Sequence, residues 1–245
     1  MSVYFVSDLH LKPERPDLTR AFLHFLHTIQ EDADSLFLLG DIFEAWIGDD
    51  APTPGLESLI TQLKSLSDNG CKIFFQHGNR DFLVGESFMQ MIGATLLPEI
   101  TTEHLPVGDA VILHGDQLCT DDQEYMQFRS LVRDSAWQQE FLSKSLEERL
   151  SIARQLRDTS KQRTTEKSDY ITDVNPHTVK QTLDDSKVTL MIHGHTHRPA
   201  IHEIDLNGQQ AKRIVLGDWD QLGWYLKVDS DGFDLISFEI KKAAD

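Results

Sequence analysis

Five short apolar runs along the chain are each followed closely by a polar motif. The runs are three to four residues long and have Gly or Asp nearby, a pattern typical of buried strands. Ligand sites in open α/β sheets form where strands end, so we expect the five motifs to converge on one cleft. In chain order the runs are residues 3–6, 36–39, 73–75, 111–113 and 190–192.

Beyond residue 199 the apolar positions alternate with polar ones. Turn dipeptides such as Asn207-Gly208 and Asp231-Gly232 separate these runs, which predicts antiparallel hairpins. The alternating runs are residues 200–206, 213–216, 224–228 and 233–240. Helices are predicted at residues 17–30, 55–69 and 175–185. Together these elements predict a single α/β domain over residues 1–245, with two sheets in a four-layer α/β/β/α sandwich.

The interval between His114 and His195 is much longer than a sheet connection requires. We therefore interpret residues 121–170 as an insertion. Gly and Pro are absent from it, and its apolar residues predict helices. One apolar face, with spacings of four, four and three residues, consists of Leu142, Leu146, Leu150 and Ala153.

The motifs themselves carry carboxylate, amide and imidazole groups, which are the groups that hold divalent metal ions. They are Asp8-Leu9-His10, Gly40-Asp41, Gly78-Asn79-Arg80-Asp81, His114-Gly115-Asp116 and Gly194-His195-Thr196-His197. Taken singly, each has another interpretation as a turn, a helix cap or a polar loop. The last motif is the strongest, because alternate residues of a strand point to one face and two imidazoles there can serve adjacent metals.

Composition is typical of a folded enzyme. The chain has 245 residues, of which 40% are apolar and 26% charged, enough for one domain with a sizeable core. Two cysteines, Cys71 and Cys119, are too few for a disulfide scaffold. The chain does not open on a signal peptide pattern, and no apolar run is long enough to cross a bilayer. We expect a cytoplasmic protein whose membrane contacts are peripheral.

The formal net charge of -17 disfavours nucleic acid or an anionic bilayer as a partner of the whole surface, because long-range repulsion opposes the encounter. The inserted segment differs from the rest of the chain. Between residues 144 and 167 seven basic residues stand against four acidic ones, a local charge of +3 that leaves -20 elsewhere. The basic residues are Lys144, Arg149, Arg154, Arg157, Lys161, Arg163 and Lys167.

The order and residues of the five motifs resemble the calcineurin-like metallophosphoesterase superfamily. Longer stretches at residues 39–50, 77–83, 114–122 and 193–200 resemble the UDP-2,3-diacylglucosamine hydrolases of lipid A biosynthesis. This resemblance implies the four-layer sandwich with residues 121–170 as a helical cap. It also implies hydrolysis of the substrate pyrophosphate to UMP and 2,3-diacylglucosamine 1-phosphate, by a metal-activated water that attacks the α-phosphorus.

The same resemblance implies a centre with two Mn²⁺ ions per chain, although the ligand types also allow zinc or iron. Asp41 would bridge the two ions. Asp8, His10, Asp41 and His197 would hold one of them, and Asp41, Asn79, His114 and His195 the other. The catalytic residues implied are Asp41, Arg80 and His195.

Arg80 stands where the broad superfamily usually has His, whereas the narrower family shares Arg. An arginine can grip phosphate oxygens with two parallel hydrogen bonds, and the alternative is an ion pair with Asp81 or Asp116. Thr164 stands where relatives commonly carry Asn, so a contact there is weakened or rearranged. The substrate contacts implied are Asn79, Arg80, Asp122, Ser160, Thr164, Lys167 and His195.

The inserted helices have two interpretations. They either pack an apolar face on the body of the protein, or form a lid whose apolar face lines an acyl-chain groove and whose basic face holds phosphates or lipid headgroups. The resemblance favours the lid, with transient contact with the inner membrane and no obligate protein partner. A phosphodiesterase for soluble nucleotides and a metal-bound scaffold are the alternative functions.

Overall fold

The computed structural model describes residues 1–165 and 173–241, and for residues 158–165 it describes the backbone alone. The strands are β1 (Ser2–Val6), β2 (Ala33–Leu39), β3 (Lys72–Gln76), β4 (Ala94–Leu96), β5 (Ile100–Leu105), β6 (Gly108–Leu113), β7 (Leu190–His193), β8 (Ala200–Leu206), β9 (Gln209–Val215), β10 (Leu222–Asp229) and β11 (Gly232–Glu239). The α-helices are α1 (Pro16–Ile29), α2 (Glu57–Asp68), α3 (Glu86–Ile92), α4 (Gln123–Val132), α5 (Ser135–Leu142), α6 (Leu146–Thr165) and α7 (Pro176–Ser186), with a short 3₁₀ helix at Asp116–Leu118.

These strands form two sheets. The first has the order β11-β10-β1-β2-β3-β4, and its members β1 to β4 are parallel. The second has the order β5-β6-β7-β9-β8, with β6, β7 and β9 parallel and both edge strands antiparallel to their neighbours. Strands β1, β2 and β3 run parallel in one sheet, and β6 and β7 run parallel in the other. The polar motifs that follow their carboxyl ends therefore lie at one edge of each sheet, as the apolar runs predict.

Strand alternation separates the core into layers. In β1, Val3 and Phe5 face the second sheet, whereas Tyr4 and Val6 face the helices, as period-two geometry requires. Phe5 stacks on Phe37 of β2 with ring centroids 4.7 Å apart in the core between the sheets. Helices α1, α2 and α3 cover the outer face of the first sheet, and α7 covers the second. The predicted α/β/β/α layering is confirmed.

The predicted helices and hairpins lie close to the observed ones. The three predicted helices correspond to α1, α2 and α7, each within two residues at both ends. Helix α7 begins where expected because Asn175 caps it by accepting hydrogen bonds from the backbone N–H groups of His177 and Thr178, and Pro176 takes the first helical position. Strands β8–β9 and β10–β11 pair as antiparallel hairpins. The sequence patterns missed α3, β4 and β5.

The described residues between β6 and α7 form three α-helices, α4, α5 and α6, after the short 3₁₀ helix. Asp122 and Asp134 each accept a backbone N–H at a helix start, so the segment is divided into α4 and α5 before α6 begins. Trp137, Leu146 and Ala153 pack on the core of the first sheet. The treatment of residues 121–170 as a separate cap stays a prediction. Within the ranges that the structure describes, no helix has both the length and the apolar character that crossing a bilayer demands.

Candidate metal centre

The polar motifs meet at the carboxyl ends of β1, β2, β3, β6 and β7. Several of their residues have left-handed backbone conformations, a region that non-glycine residues rarely occupy and that concentrates at functional sites. Seven non-glycine residues of the described ranges have positive φ, and five of them are predicted metal ligands. These five are Asp8 (φ 55°), His10 (49°), Asp41 (53°), His195 (69°) and His197 (55°). The motif residues His195 and His197 lie in a loop after β7, so their predicted placement on a strand is wrong.

Backbone hydrogen bonds join the first two motifs. The N–H of Asp8 donates to the carbonyl of Gly40 at 3.1 Å, and the N–H of His10 donates to that of Asp41 at 3.0 Å. Gly194 permits the approach of the last motif, because a Cβ there would collide with Ser7 and with the carboxylate of Asp8. These backbone contacts bring together motifs that are far apart in the sequence.

The ligand side chains form two overlapping groups. Asp8, His10 and His197 lie with their ligand atoms within 4.8 Å of one another, and so do Asp8, Asp41 and His114. In the first group His197 Nε2 lies 3.3 Å from His10 Nε2 and 3.3 Å from Asp8 Oδ1. Asp8 belongs to both groups, whereas the predicted bridge Asp41 belongs to the second. The role of Asp41 as the bridge therefore stays a prediction.

Asn79 and His195 complete the second group. The Asn79 side-chain oxygen lies 3.1 Å from His114 Nε2 and 2.9 Å from His195 Nδ1. His114 Nδ1 lies 2.8 Å from the carbonyl oxygen of Leu39. A carbonyl only accepts, so this contact places the proton of a neutral ring on Nδ1 and leaves the Nε2 lone pair free for a cation.

The buried polar atoms fit a divalent cation. Among the described residues, Asp8 Oδ1 is buried with no hydrogen-bond partner, while Asp8 Oδ2 accepts from Ser7 and from the N–H of His195. An unpartnered buried carboxylate oxygen is costly unless a cation compensates it. The donor set of carboxylates, one amide oxygen and imidazoles is typical of such a cation site.

Burial and neighbouring charges shift the pKa values of the predicted ligands in different directions. Burial raises the pKa of Asp41 to about 7 and lowers the pKa of His10 to about 4 and that of His195 to about 3. For His197 burial is outweighed by attraction to the Asp8 carboxylate, whose Oδ1 lies 3.3 Å from His197 Nε2, so its pKa rises to about 9. His10 and His195 are thus neutral near pH 7, as metal ligands must be.

Arg80 lines the same depression as the predicted metal ligands His10, Asp41 and His197. Its Nε is buried and has no hydrogen-bond partner among the described residues. The alternative ion pairs are not formed: the Asp81 carboxylate accepts backbone N–H groups, and Asp116 pairs with Arg129 at 2.8 Å. Arg80 therefore has donor capacity left for a ligand.

Two apolar spaces adjoin the site. The Arg80 cavity lies between α4–α6 and the motif loops, and its lining includes Asn79, Arg80, Phe82, Phe128, Leu156 and Arg157. The Pro52 groove lies beside it and includes Pro13, Phe43, Pro52, Leu56, Leu146 and Leu150. Ala45 and Trp46 line both. The predicted apolar face of the insertion is thus divided, with Leu146 and Leu150 on the groove and Ala153 on the cavity.

The predicted substrate residues are brought together in part. Asn79, Arg80, Asp122 and His195 line one depression together with His10, Asp41 and His197. The side chains of Ser160 and Thr164, and all of Lys167, lie outside the described residues.

The sequence patterns left Asp116 and Tyr125 without a role. Asp116 is fully buried and accepts hydrogen bonds from Tyr125 Oη and Arg129 Nε, each at 2.8 Å. Those bonds fasten α4 to the end of β6 and hold the Tyr125 ring 5.8 Å from that of His195. Asp116 was visible as part of a motif, whereas Tyr125 has no sequence signal.

Comparison with known proteins shows what the chain is similar to. A family model for calcineurin-like phosphoesterases matches residues 1–199. A protein of Tolumonas auensis named UDP-2,3-diacylglucosamine hydrolase is 48% identical over 244 residues, 99% of each chain. One of the same name from Pseudomonas entomophila is 49% identical over 240 residues, 97% of this chain and 99% of that one.

Among solved structures, an archaeal phosphodiesterase superposes over 97% of this chain and all of its own with a TM-score of 0.51. Its identity of 12% supports a shared fold alone.

Proposed function

This chain belongs to the calcineurin-like phosphoesterase family, and we propose that it hydrolyses the pyrophosphate bond of UDP-2,3-diacylglucosamine in lipid A biosynthesis. The products are UMP and 2,3-diacylglucosamine 1-phosphate, and water attacks the α-phosphorus. The observation that carries the proposal is the position of Arg80 and Asn79, which line both the depression of metal-ligating residues and the apolar Arg80 cavity. A substrate with a pyrophosphate beside acyl chains requires that combination.

The proposed cofactor is a pair of Mn²⁺ ions. Asp8, His10, Asp41 and His197 would hold one, and Asp41, Asn79, His114 and His195 would hold the other. Two bound divalent ions lower the pKa of a shared water and stabilise charge on the phosphoryl oxygens. The alternatives within this ligand chemistry are zinc and iron.

Arg80 and His195 are two of the three proposed catalytic residues. Arg80 donates from its guanidinium to phosphoryl oxygens, whose negative charge grows in the transition state. Burial keeps His195 neutral, so it serves as a ligand while its ring packs near Tyr125. Asp41 completes the proposed catalytic set.

The Arg80 cavity receives an acyl chain. A chain of about a dozen carbons that leaves a bilayer forfeits roughly 9 kcal/mol, at ~0.8 kcal/mol for each CH₂. A polar surface cannot replace that loss, whereas apolar walls contribute about 25 cal/mol for each Å² buried. Phe82, Phe128 and Leu156 supply such walls here.

The proposed substrate contacts are those of the resembling family. They are Asn79, Arg80, Asp122, Ser160, Thr164, Lys167 and His195. With Thr164 in place of the usual Asn, the contact at that position keeps a hydroxyl but loses two amide donors.

The enzyme works in the cytoplasm in peripheral, transient contact with the inner membrane. Arg154 of α6 is exposed, and each basic group near an anionic leaflet contributes about 1 kcal/mol. That is sufficient for brief contact and not for a stable anchor. The net charge of -17 leaves no role for nucleic acid, and the proposal involves no obligate protein partner.

The decisive experiment measures UMP release from UDP-2,3-diacylglucosamine. Metal-stripped protein is assayed with Mn²⁺ restored, beside the Asp41→Asn variant and a soluble phosphodiester. Manganese-dependent UMP from the unmodified chain alone supports the reaction and the role of Asp41. Cleavage of the soluble diester alone would leave a metallophosphoesterase for soluble substrates, and binding of Mn²⁺ without any turnover would favour a scaffold.

A further inference from the structure

Glu44 is a nearly buried carboxylate with three cationic or donor neighbours. Its side chain is 11% exposed, and it lies in the loop after β2. The Glu44 N–H donates a 3.1 Å hydrogen bond to the carbonyl of Leu11, the residue after the first motif. Glu44 Oε1 lies 3.1 Å from Arg157 Nε. Glu44 Oε2 lies 3.5 Å from Lys12 Nζ and 3.7 Å from His10 Nδ1.

The His10 ring needs an acceptor on this side. Its Nε2 faces the ligand group with His197, at 3.3 Å, so Nδ1 carries the proton once Nε2 binds a cation. Nδ1 is buried and has no hydrogen-bond partner among the described residues. The Glu44 oxygen faces it at 3.7 Å, and a small rotation of either side chain closes that gap.

The contact of Glu44 with Arg157 connects Glu44 to α6. Arg157 lies on α6 and lines the Arg80 cavity, as Glu44 does. One oxygen of Glu44 thus faces a metal ligand and the other holds the helix that closes the cavity.

We infer that Glu44 is a positioning residue that couples the metal centre to α6: one oxygen orients His10 for the cation, and the other holds Arg157 over the cavity. The inference uses the cation of the proposed function and is independent of its substrate. Mutation of a residue that hydrogen-bonds a metal ligand typically lowers metal affinity by about 10- to 100-fold.

Glu44→Gln tests this by its hydrogen-bonding chemistry. A glutamine side chain has one acceptor oxygen, and its NH₂ group only donates. His10 Nδ1–H and Arg157 both donate, so the variant can satisfy one partner and must face the other with a donor. Shape and size change little, which separates this effect from loss of packing.

Asp50→Asn is the matched control. Asp50 forms the other described ion pair between the motif loops and α6, with Arg149 at 2.6 Å, and contacts no predicted metal ligand. Both variants weaken the attachment of α6, but only one of them touches the metal centre.

Manganese affinity of the metal-stripped chains is measured without substrate, from the spin-resonance signal of free Mn²⁺. We expect the dissociation constant of Glu44→Gln to rise about 10- to 100-fold and that of Asp50→Asn to stay within twofold. KM for the acylated substrate rises in both. A Glu44→Gln constant within twofold of the unmodified chain overturns the inference and leaves Glu44 as an anchor for α6.

Thermal melting by circular dichroism checks that each variant is folded. If Glu44→Gln does not fold, Glu44→Ala is measured under the same criteria. Absence of UMP release by the unmodified chain would remove the proposed substrate while the manganese comparison still decides the role of Glu44.

Discussion

The buried carboxylate of Asp81 holds the backbone of Asp41. Asp81 Oδ1 accepts hydrogen bonds from the N–H of Asp41 at 3.1 Å and from that of Gly78 at 2.8 Å, and Oδ2 accepts from Ile42 at 2.8 Å. The second and third motifs are therefore joined by an acidic residue that binds no predicted metal. The hydrogen bonds that the Asp81 carboxylate accepts from backbone N–H groups explain why the Gly78-Asn79-Arg80-Asp81 motif ends in Asp.

Asp81→Asn should destabilise the fold. Asparagine has one acceptor oxygen, so at least one of these buried N–H groups loses its partner or meets an amide donor. The expected loss is about 2–3 kcal/mol in the free energy of unfolding, measured by urea denaturation. Asp68→Asn, at a side chain that is 61% exposed, is the control and should stay within about 0.5 kcal/mol. Equal effects at the two sites would contradict this account.

Removal of metal from the candidate metal centre should lower the free energy of unfolding. Bound Mn²⁺ at a hundredfold excess over its dissociation constant adds about 2.7 kcal/mol, because the folded chain alone presents the assembled site. Chelation should remove that increment and Mn²⁺ should restore it, as followed by thermal melting. Asp8→Asn should abolish the response, whereas Asp109→Asn, at a side chain 59% exposed, should keep it.

The lowered pKa of the buried Asp116 predicts that the free energy of unfolding falls in acid. Burial favours its neutral form, but His114, Arg129 and Arg133 outweigh burial and hold the pKa of Asp116 well below its usual range. A carboxyl with a lowered pKa in the folded state stabilises the protein above its ordinary pKa of about 3.9, and that stabilisation is lost as the pH falls further.

Urea denaturation of the unmodified chain and of Asp116→Asn between pH 6 and pH 3 tests the point. The difference in free energy of unfolding should be constant at the upper end and should shrink below about pH 4. A difference that stays constant throughout would show that the carboxylate charge is not what stabilises α4.

The Arg80 cavity predicts a change of substrate preference. Leu156→Asp places a charge on its wall and removes apolar burial worth about 1.5–3 kcal/mol, so KM for the acylated substrate should rise about 10- to 100-fold. Hydrolysis of a soluble phosphodiester should be unchanged. Leu131→Asp, at a residue that is 53% exposed on α4, is the control. Parallel losses on both substrates would exclude the cavity as an acyl site.

The sequence by itself determined the elements whose signal is local. The short continuous apolar run at residues 3–6 predicts a buried strand, and Pro176 after Asn175 marks a helix start. Such patterns depend on period and on neighbouring residues, so they can be read along the chain. The polar motifs after such runs marked the candidate metal ligands, and the resemblance assigned them to a metal centre.

Only the tertiary structure decided how those residues are held. The N–H of His195 bonds the carboxylate of Asp8, 187 positions away, and this long-range contact supports a left-handed backbone that no strand pattern predicts. Glu44 is likewise an ordinary loop residue in the sequence, and its position between His10 and Arg157 follows from the packing of α6. Partners distant in the chain select these conformations, so local propensity carries no signal for them.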